Sequence, residues 1–254
     1  MNFIKNLFLG CFSFSTMIMN AQDAGTIQTD RPDQTESPYI VPKNFIQVET
    51  GILFESNQQN EYIIQHPNLL FKYGVHDRVE LRFVSELATL STENFIKTSI
   101  NTLAIGLKTK ITEENGIIPK TSLIIHFNIP YQFKKKNQIQ YIFPDFRFLM
   151  QHQISEKLNL SYNIGIEWDI EHQKPSYIYT LTMGYSIHDK IGCYIEAYGF
   201  FQNKEYPNFN IDGGFTYLVN PNIQLDISAS KSLNKYYPGY YLSAGISIRK
   251  KVRK

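Results

Sequence analysis

Ile223-Gln224-Leu225-Asp226-Ile227-Ser228-Ala229-Ser230 alternates an apolar with a polar side chain at every step. Successive side chains of an extended chain point to opposite sides, so Ile223, Leu225, Ile227 and Ala229 make one apolar face and Gln224, Asp226, Ser228 and Ser230 a wet one. Residues 157–168 repeat the device, with Leu158, Leu160, Tyr162, Ile164, Ile166 and Trp168 set against Asn159, Ser161, Asn163, Gly165 and Glu167. From residue 44 onward the period of two recurs in twelve segments, 44–56, 61–75, 78–87, 98–111, 120–130, 141–154, 157–168, 176–187, 190–201, 206–219, 222–231 and 240–250. Most exceed the mode of about 5–6 residues for globular strands and approach the roughly 9–11 that a tilted membrane strand requires.

The connections alternate as well. Val75-His76-Asp77-Arg78-Val79, Ile154-Ser155-Glu156-Lys157-Leu158, Ile187-His188-Asp189-Lys190-Ile191 and Val219-Asn220-Pro221-Asn222-Ile223 each place a short polar turn between apolar residues, and 112–119 is a longer member of that set. The other set, 88–97, 131–140, 169–175 and 232–239, is longer and rich in Asn, Lys, Glu and Tyr. Alternation alone also fits a secreted soluble sandwich. Strand length, an even count and the rhythm of long and short connections favour an all-β, up-and-down antiparallel transmembrane β-barrel of about twelve strands, closed so that no backbone edge meets lipid. Two aromatic girdles are expected: Tyr131, Phe133, Tyr141, Trp168, Tyr177, Phe201, Tyr206, Tyr236, Tyr237 and Tyr240 toward the loops, and Phe45, Tyr73, Tyr185 and Tyr217 toward the turns.

Composition agrees with that class. Of 254 residues 43% are hydrophobic, with 17 Tyr and 18 Phe, far more buriable surface than a disordered chain carries. No apolar run beyond residue 21 approaches the roughly 18–20 residues of a membrane helix. A formal charge of +2 gives no electrostatic reason for a nucleic-acid partner. Residues 1–21, with Lys5, an apolar stretch from Leu7 to Met19 and small Ala21, have the layout of a signal peptide cleaved after Ala21. Removing them leaves Cys193 as the only cysteine, so neither an intrachain disulfide nor a cysteine metal cluster is expected. The expected organisation is 1–21 leader, 22–43 periplasmic N-terminal segment, 44–250 barrel and 251–254 basic tail.

If the apolar face meets lipid, parity turns Glu49, Glu55, His66, Lys72, Glu80, Arg82, Lys108, His126, Asp145, Arg147, Glu167, Glu196, Asp212, Asp226 and Arg249 toward the lumen. Both signs of charge line it. They either pair across a narrow interior, as buried charges must, or form a polar conduit. Enzyme signatures are missing: there is no G-x-S-x-G, H-E-x-x-H, glycine-rich phosphate loop or C-x-x-C. No catalytic residue, cofactor or metal is expected. His66 and His126 have Ser122 as a conceivable nucleophile, but parity sets them on the lumenal face, away from a lipid boundary.

Residues 26–43 contain three prolines and dense polar residues and do not read as a strand. Within them Thr29-Asp30-Arg31-Pro32-Asp33-Gln34-Thr35, followed by Ser37-Pro38, Val41-Pro42-Lys43 and Gln47-Val48-Glu49-Thr50-Gly51, resembles the opening of an outer-membrane family of meta-pathway phenol-degradation transporters. Over the barrel the likeness is one of strand rhythm. The resemblance implies an outer-membrane barrel of a Gram-negative cell that passes small hydrophobic or aromatic solutes, with outer-membrane lipid and the insertion machinery as its partners. It carries over no catalytic residue. The chain departs from such barrels at its end, where Ile246 and Ile248 lead into Arg249-Lys250-Lys251-Val252-Arg253-Lys254 instead of a terminal aromatic residue. The expected activity is passive uptake; the alternative is a closed, non-conducting structural or ligand-binding barrel. Asp30, Arg31, Pro32 and Asp33 are the expected plug or gate, with a periplasmic tether as the alternative role of the segment.

Overall fold

Twelve strands form in the computed structural model: β1 (Phe45–Asn57), β2 (Tyr62–His76), β3 (Val79–Ser91), β4 (Ile96–Thr112), β5 (Lys120–Asn128), β6 (Phe143–Gln153), β7 (Leu158–Asp169), β8 (Lys174–His188), β9 (Ile191–Gln202), β10 (Asn208–Asn220), β11 (Ile223–Ser232) and β12 (Gly239–Lys251). The residues described are 24–57, 61–129, 142–169, 174–202, 207–235 and 238–252. The expected leader, 1–21, and Tyr131, Phe133, Tyr141, Tyr206, Tyr236 and Tyr237 of the expected girdle lie outside them.

Each strand pairs antiparallel with its sequence neighbours, and β1 closes the barrel on β12, from Phe45↔Lys251 to Asn57↔Gly239. Closure satisfies every strand edge within the sheet itself, which a lipid environment demands. The residues sort by sign of hydropathy in the reverse of a soluble protein. Ile52, Ile105, Ile164, Ile195, Phe215, Ile227 and Leu242 are each more than half exposed on the outer surface, whereas Glu49, Lys72, Glu80, Lys108, Asn163, Glu196 and Ser247 are fully buried inside. Exposed apolar side chains arranged as a continuous band around a polar interior are the mark of a barrel solvated by lipid.

Departures from simple alternation have a common cause, the β-bulge, which inserts a residue and exchanges the faces beyond it. A shift between Gln65 and Asn68 in β2 turns Gln65 inward with its partner Ala88, while Ile64 and its partner Thr89 face out. His66 therefore bonds the Thr89 hydroxyl (2.7 Å) on the outer side and does not face the lumen as parity predicts. A second shift, between Glu86 and Leu87, carries the β3–β4 hairpin on to Ser91↔Ile96, with Ala88 and Leu90 lining the interior. The loop expected at 88–97 is thus strand at both ends and turns only at 92–95: β3 keeps its alternation through Leu90, the extra residue being Asn101 of β4, but Ala88 and Leu90 put apolar side chains on the inward face, where the pattern calls for polar ones. Tyr177, Phe201 and Tyr240 are exposed toward the loop end and Tyr185 and Tyr217 toward the turn end. Trp168 instead stacks on Phe143 (centroids 5.0 Å apart) beside the internal cavity, and Phe45 is buried beneath the Arg249 guanidinium.

Candidate functional site

The interior charges find their partners on residues 24–43, which run inside the barrel. Both ends of this segment are fixed at the turn side. Ile27 N–H donates to the Pro221 carbonyl (2.9 Å), Arg249 donates to the carbonyls of Ala24 (3.2 Å) and Gly25 (2.5 Å), and Gln224 and Gln47 side chains donate to the Thr29 hydroxyl and Gln28 carbonyl. At the other end Val41 N–H donates to Glu80 (2.8 Å), and Lys43 bridges Gly74 before β1 begins.

Between these anchors the chain crosses the lumen. Asp30 is its hub: its carboxylate accepts from Lys72 (2.9 Å), Arg82 (2.9 Å), Lys108 (3.0 Å) and the Ser37 N–H (3.0 Å). The N–H groups of Asp30 and Arg31 both donate to Glu49 (2.9 and 3.0 Å), which also pairs with Lys72. Burial by itself raises the affinity of Asp30 for a proton, but the charges of Lys108, Lys72 and Arg82 outweigh it and hold the carboxyl well below the ordinary range. Glu36 is likewise lowered: burial acts upward and the Arg82 guanidinium, 2.6 Å away, acts more strongly with Arg147 and Lys108.

Arg31 reaches the adjoining wall of β2, β11 and β12, donating to Asp226 (2.9 Å), Asn68 (3.1 Å) and Ser243 (2.9 Å). Its guanidinium lies on Gly51 and Gly245, which face each other across β1 and β12; a Cβ on either would collide with it. Beyond Pro32 the chain makes an apex against β6–β9. Gln34 N–H donates to Glu196 (2.8 Å), the Thr35 hydroxyl lies 2.5 Å from Glu196 and 2.6 Å from the Thr182 hydroxyl, and Glu36 N–H donates to Asn163 (2.7 Å). Arg147 donates to the Gln34 carbonyl (3.0 Å) and pairs with Glu167.

Above the segment is a cavity of about 1650 Å³. Asp30–Gln34 and Glu36 make its floor, together with Glu49, Arg82, His126, Asp145, Arg147 and Glu167; Glu55 and Glu86 also border it. Apolar side chains share the walls, among them Leu53, Ile63, Leu70, Val84, Leu90, Phe143, Trp168 and Phe200. His126 accepts from Arg82 Nε (3.0 Å) and so is held as a neutral ring. Of the other residues expected in the lumen, Lys72, Glu80, Lys108, Glu196 and Asp226 are buried against the segment, Asp212 bonds the Tyr241 hydroxyl, and Arg249 stands at the turn-side end. Gly51, Gly245, Asn163, Thr182 and Ser243 also hold the segment; Asn163 is legible only as one of the wet-face residues and Gly51 only as the end of a motif, Gly245, Thr182 and Ser243 not at all, because the Gly51–Gly245 pairing joins the two ends of the chain and small or neutral side chains do not announce a distant partner. Among the described residues no group of three or more His, Cys, Asp or Glu is placed to hold a metal ion.

One protein-family model, described as "Putative MetA-pathway of phenol degradation", matches residues 29–249. No curated protein matches by sequence. Solved structures of like fold include an outer membrane channel from Pseudomonas putida F1 (TM-score 0.60, 11% identity, 84% of this chain and 97% of that one). The NanC porin (0.56, 9%, 79% and 98%) and the KdgM porin (0.51, 8%, 79% and 98%) are similar as well. The lipid-facing band, the closed antiparallel barrel and these likenesses make this an outer-membrane barrel.

Proposed function

The chain belongs to this phenol-degradation family, and from that membership we propose that it is an outer-membrane channel for passive uptake of small hydrophobic or aromatic solutes, with residues 24–43 as its plug. The observation that carries the reading is the cavity. About 1650 Å³ of the interior of this lipid-facing barrel remains open, walled by apolar and aromatic groups interleaved with polar ones such as Glu55, Glu86, Asn208 and Asn210, and floored by the charged segment. The apolar and aromatic part of that wall suits a solute with an apolar body, and the densely charged floor beneath would orient its polar substituent.

The test is conductance of residues 22–254 in planar bilayers beside the same protein lacking 26–40, followed by liposome uptake of small aromatic compounds. Unit steps in both, larger in the deletion, with faster aromatic than sugar uptake, are the expected result. Steps of equal size would sink the plug. Silence from both would favour the sealed barrel that the dense internal ion pairs also suit.

A further inference from the structure

The ion pairs of the interior are unevenly distributed. Lys72, Arg82 and Lys108 gather on Asp30, Arg31 is taken by Asp226, and Arg147 by Glu167 and Glu36. On the facing wall Glu196 of β9 and Asp212 of β10 stand directly opposite each other in register, both buried, with Asp33 of the apex beside them. Among the described residues none of these three carboxylates has a cationic partner. Asp212 is only 5% exposed, and its Oδ1 has no hydrogen-bond partner; the Tyr194 and Ser228 hydroxyls, which flank Gly214 one inward position further along, are equally orphaned.

Like carboxylates held side by side do not all ionise; they retain a proton between them. We propose that Asp33 docks as a protonated acid against the facing Glu196–Asp212 pair and that this proton latches the apex of the N-terminal segment to the β8–β10 wall. The latch is local to residues 32–36, so Asp30 and Arg31 stay anchored when it opens. Its surroundings offer nothing to replace the proton. Asp30 and Glu36 approach from the segment, Tyr194 and Tyr198 from β9 and Tyr241 from β12. From β8 come only Thr180 and Thr182, while Asp226 of β11 and Arg147 of β6 are already neutralised. Burial first, and then the charges of Glu196 and Asp212, push the Asp33 carboxyl well above the ordinary range. A carboxyl raised in this way contributes docking stability that is present at low pH and is lost as pH rises through its docked-state value. Acid therefore holds the apex down and alkali frees it.

For conduction the latch rests on the plug reading, but its docking is measured without it. In residues 22–254 reconstituted in liposomes, amide exchange at Gln34 and Glu36, corrected for the intrinsic effect of pH, reports their N–H bonds to Glu196 and Asn163. Protection should fall about tenfold or more between about pH 5 and about pH 9, and stay level in the Asp33→Asn/Asp212→Asn variant. A level wild-type profile overturns the latch, as does an equal slope in the variant; the wild-type profile decides alone if the variant does not assemble. Protection that follows pH while bilayer conductance does not would keep the latch and reject the plug.

Discussion

Asp30 concentrates the interior charge, and its environment sets the sign of its response to pH. Its proton affinity is depressed by Lys108, Lys72 and Arg82, so the stability it confers is fully present above the ordinary carboxylate range and is lost only as pH falls through its lowered value. Docking at this end should stay level under mild acid, the opposite of the behaviour of Asp33. Asp30→Asn would leave three buried cations short of a partner, a change that typically costs about 3–5 kcal/mol. The expected outcome is early denaturant unfolding of the reconstituted barrel, with lost amide protection at Ser37, whose N–H donates to Asp30. Glu113 gives the contrast: it pairs with Lys110 (2.6 Å) and Lys120 (3.1 Å) on a turn where its side chain is 59% exposed, and Glu113→Gln should cost less than about 1 kcal/mol in the same assay. The motif Thr29–Thr35 was legible as a special segment because prolines and charges broke the strand rhythm. The two glycines beneath Arg31 were not, since a glycine in a strand gives no sign of which distant side chain will cover it.

At the scale of the strand, the pattern of two was readable wherever the ladder is regular and failed where a bulge exchanges faces. β11 is the regular case. Ile227 sits at its centre, 57% exposed, paired with Phe215 and Ala244, and is in a soluble protein's terms a harmless place for a charge. In a lipid-solvated barrel Ile227→Lys should instead destabilise by about 2–4 kcal/mol, the range for lysine at the bilayer midplane. Reversible unfolding into vesicles measures this, and a neutral result would contradict the outward lipid face on which the fold rests. β2 is the irregular case. The extra residue between Gln65 and Asn68 brings the Asn68 amide to Arg31 and sends His66 outward, so parity counted from the two ends of the strand gives His66 opposite orientations. An extra residue at Asn101 likewise exchanges the faces of β4, and β3, though regular, is hidden because its inward Ala88 and Leu90 are apolar. A single sequence offers no signal for such an insertion until the partner strand is known.

For the whole molecule, the topology restricts how the lumen opens. The segment joins β1 covalently at one end and is bound to β11, β12 and the β10–β11 turn at the other, so it bridges the barrel as a strap with both ends on the turn side. Withdrawal as a unit would break the Asp30 hub and the Arg31 bonds together, whereas freeing the apex alone breaks its contacts to β6–β10 and the Glu36–Arg82 pair and leaves the hub intact. Opening by the apex is therefore the route of lower cost, and it can be blocked covalently. The Thr35 and Thr182 hydroxyl oxygens are 2.6 Å apart, close to where two sulfurs would stand in a disulfide of normal length. Thr35→Cys/Thr182→Cys, in a Cys193→Ser background so that no other mature thiol competes, should oxidise readily. Under the plug reading the oxidised protein conducts at the lower, strapped level at every pH, and dithiothreitol restores the pH response of the reduced form. Conductance indifferent to the bond would show that solute passes elsewhere than beneath the apex.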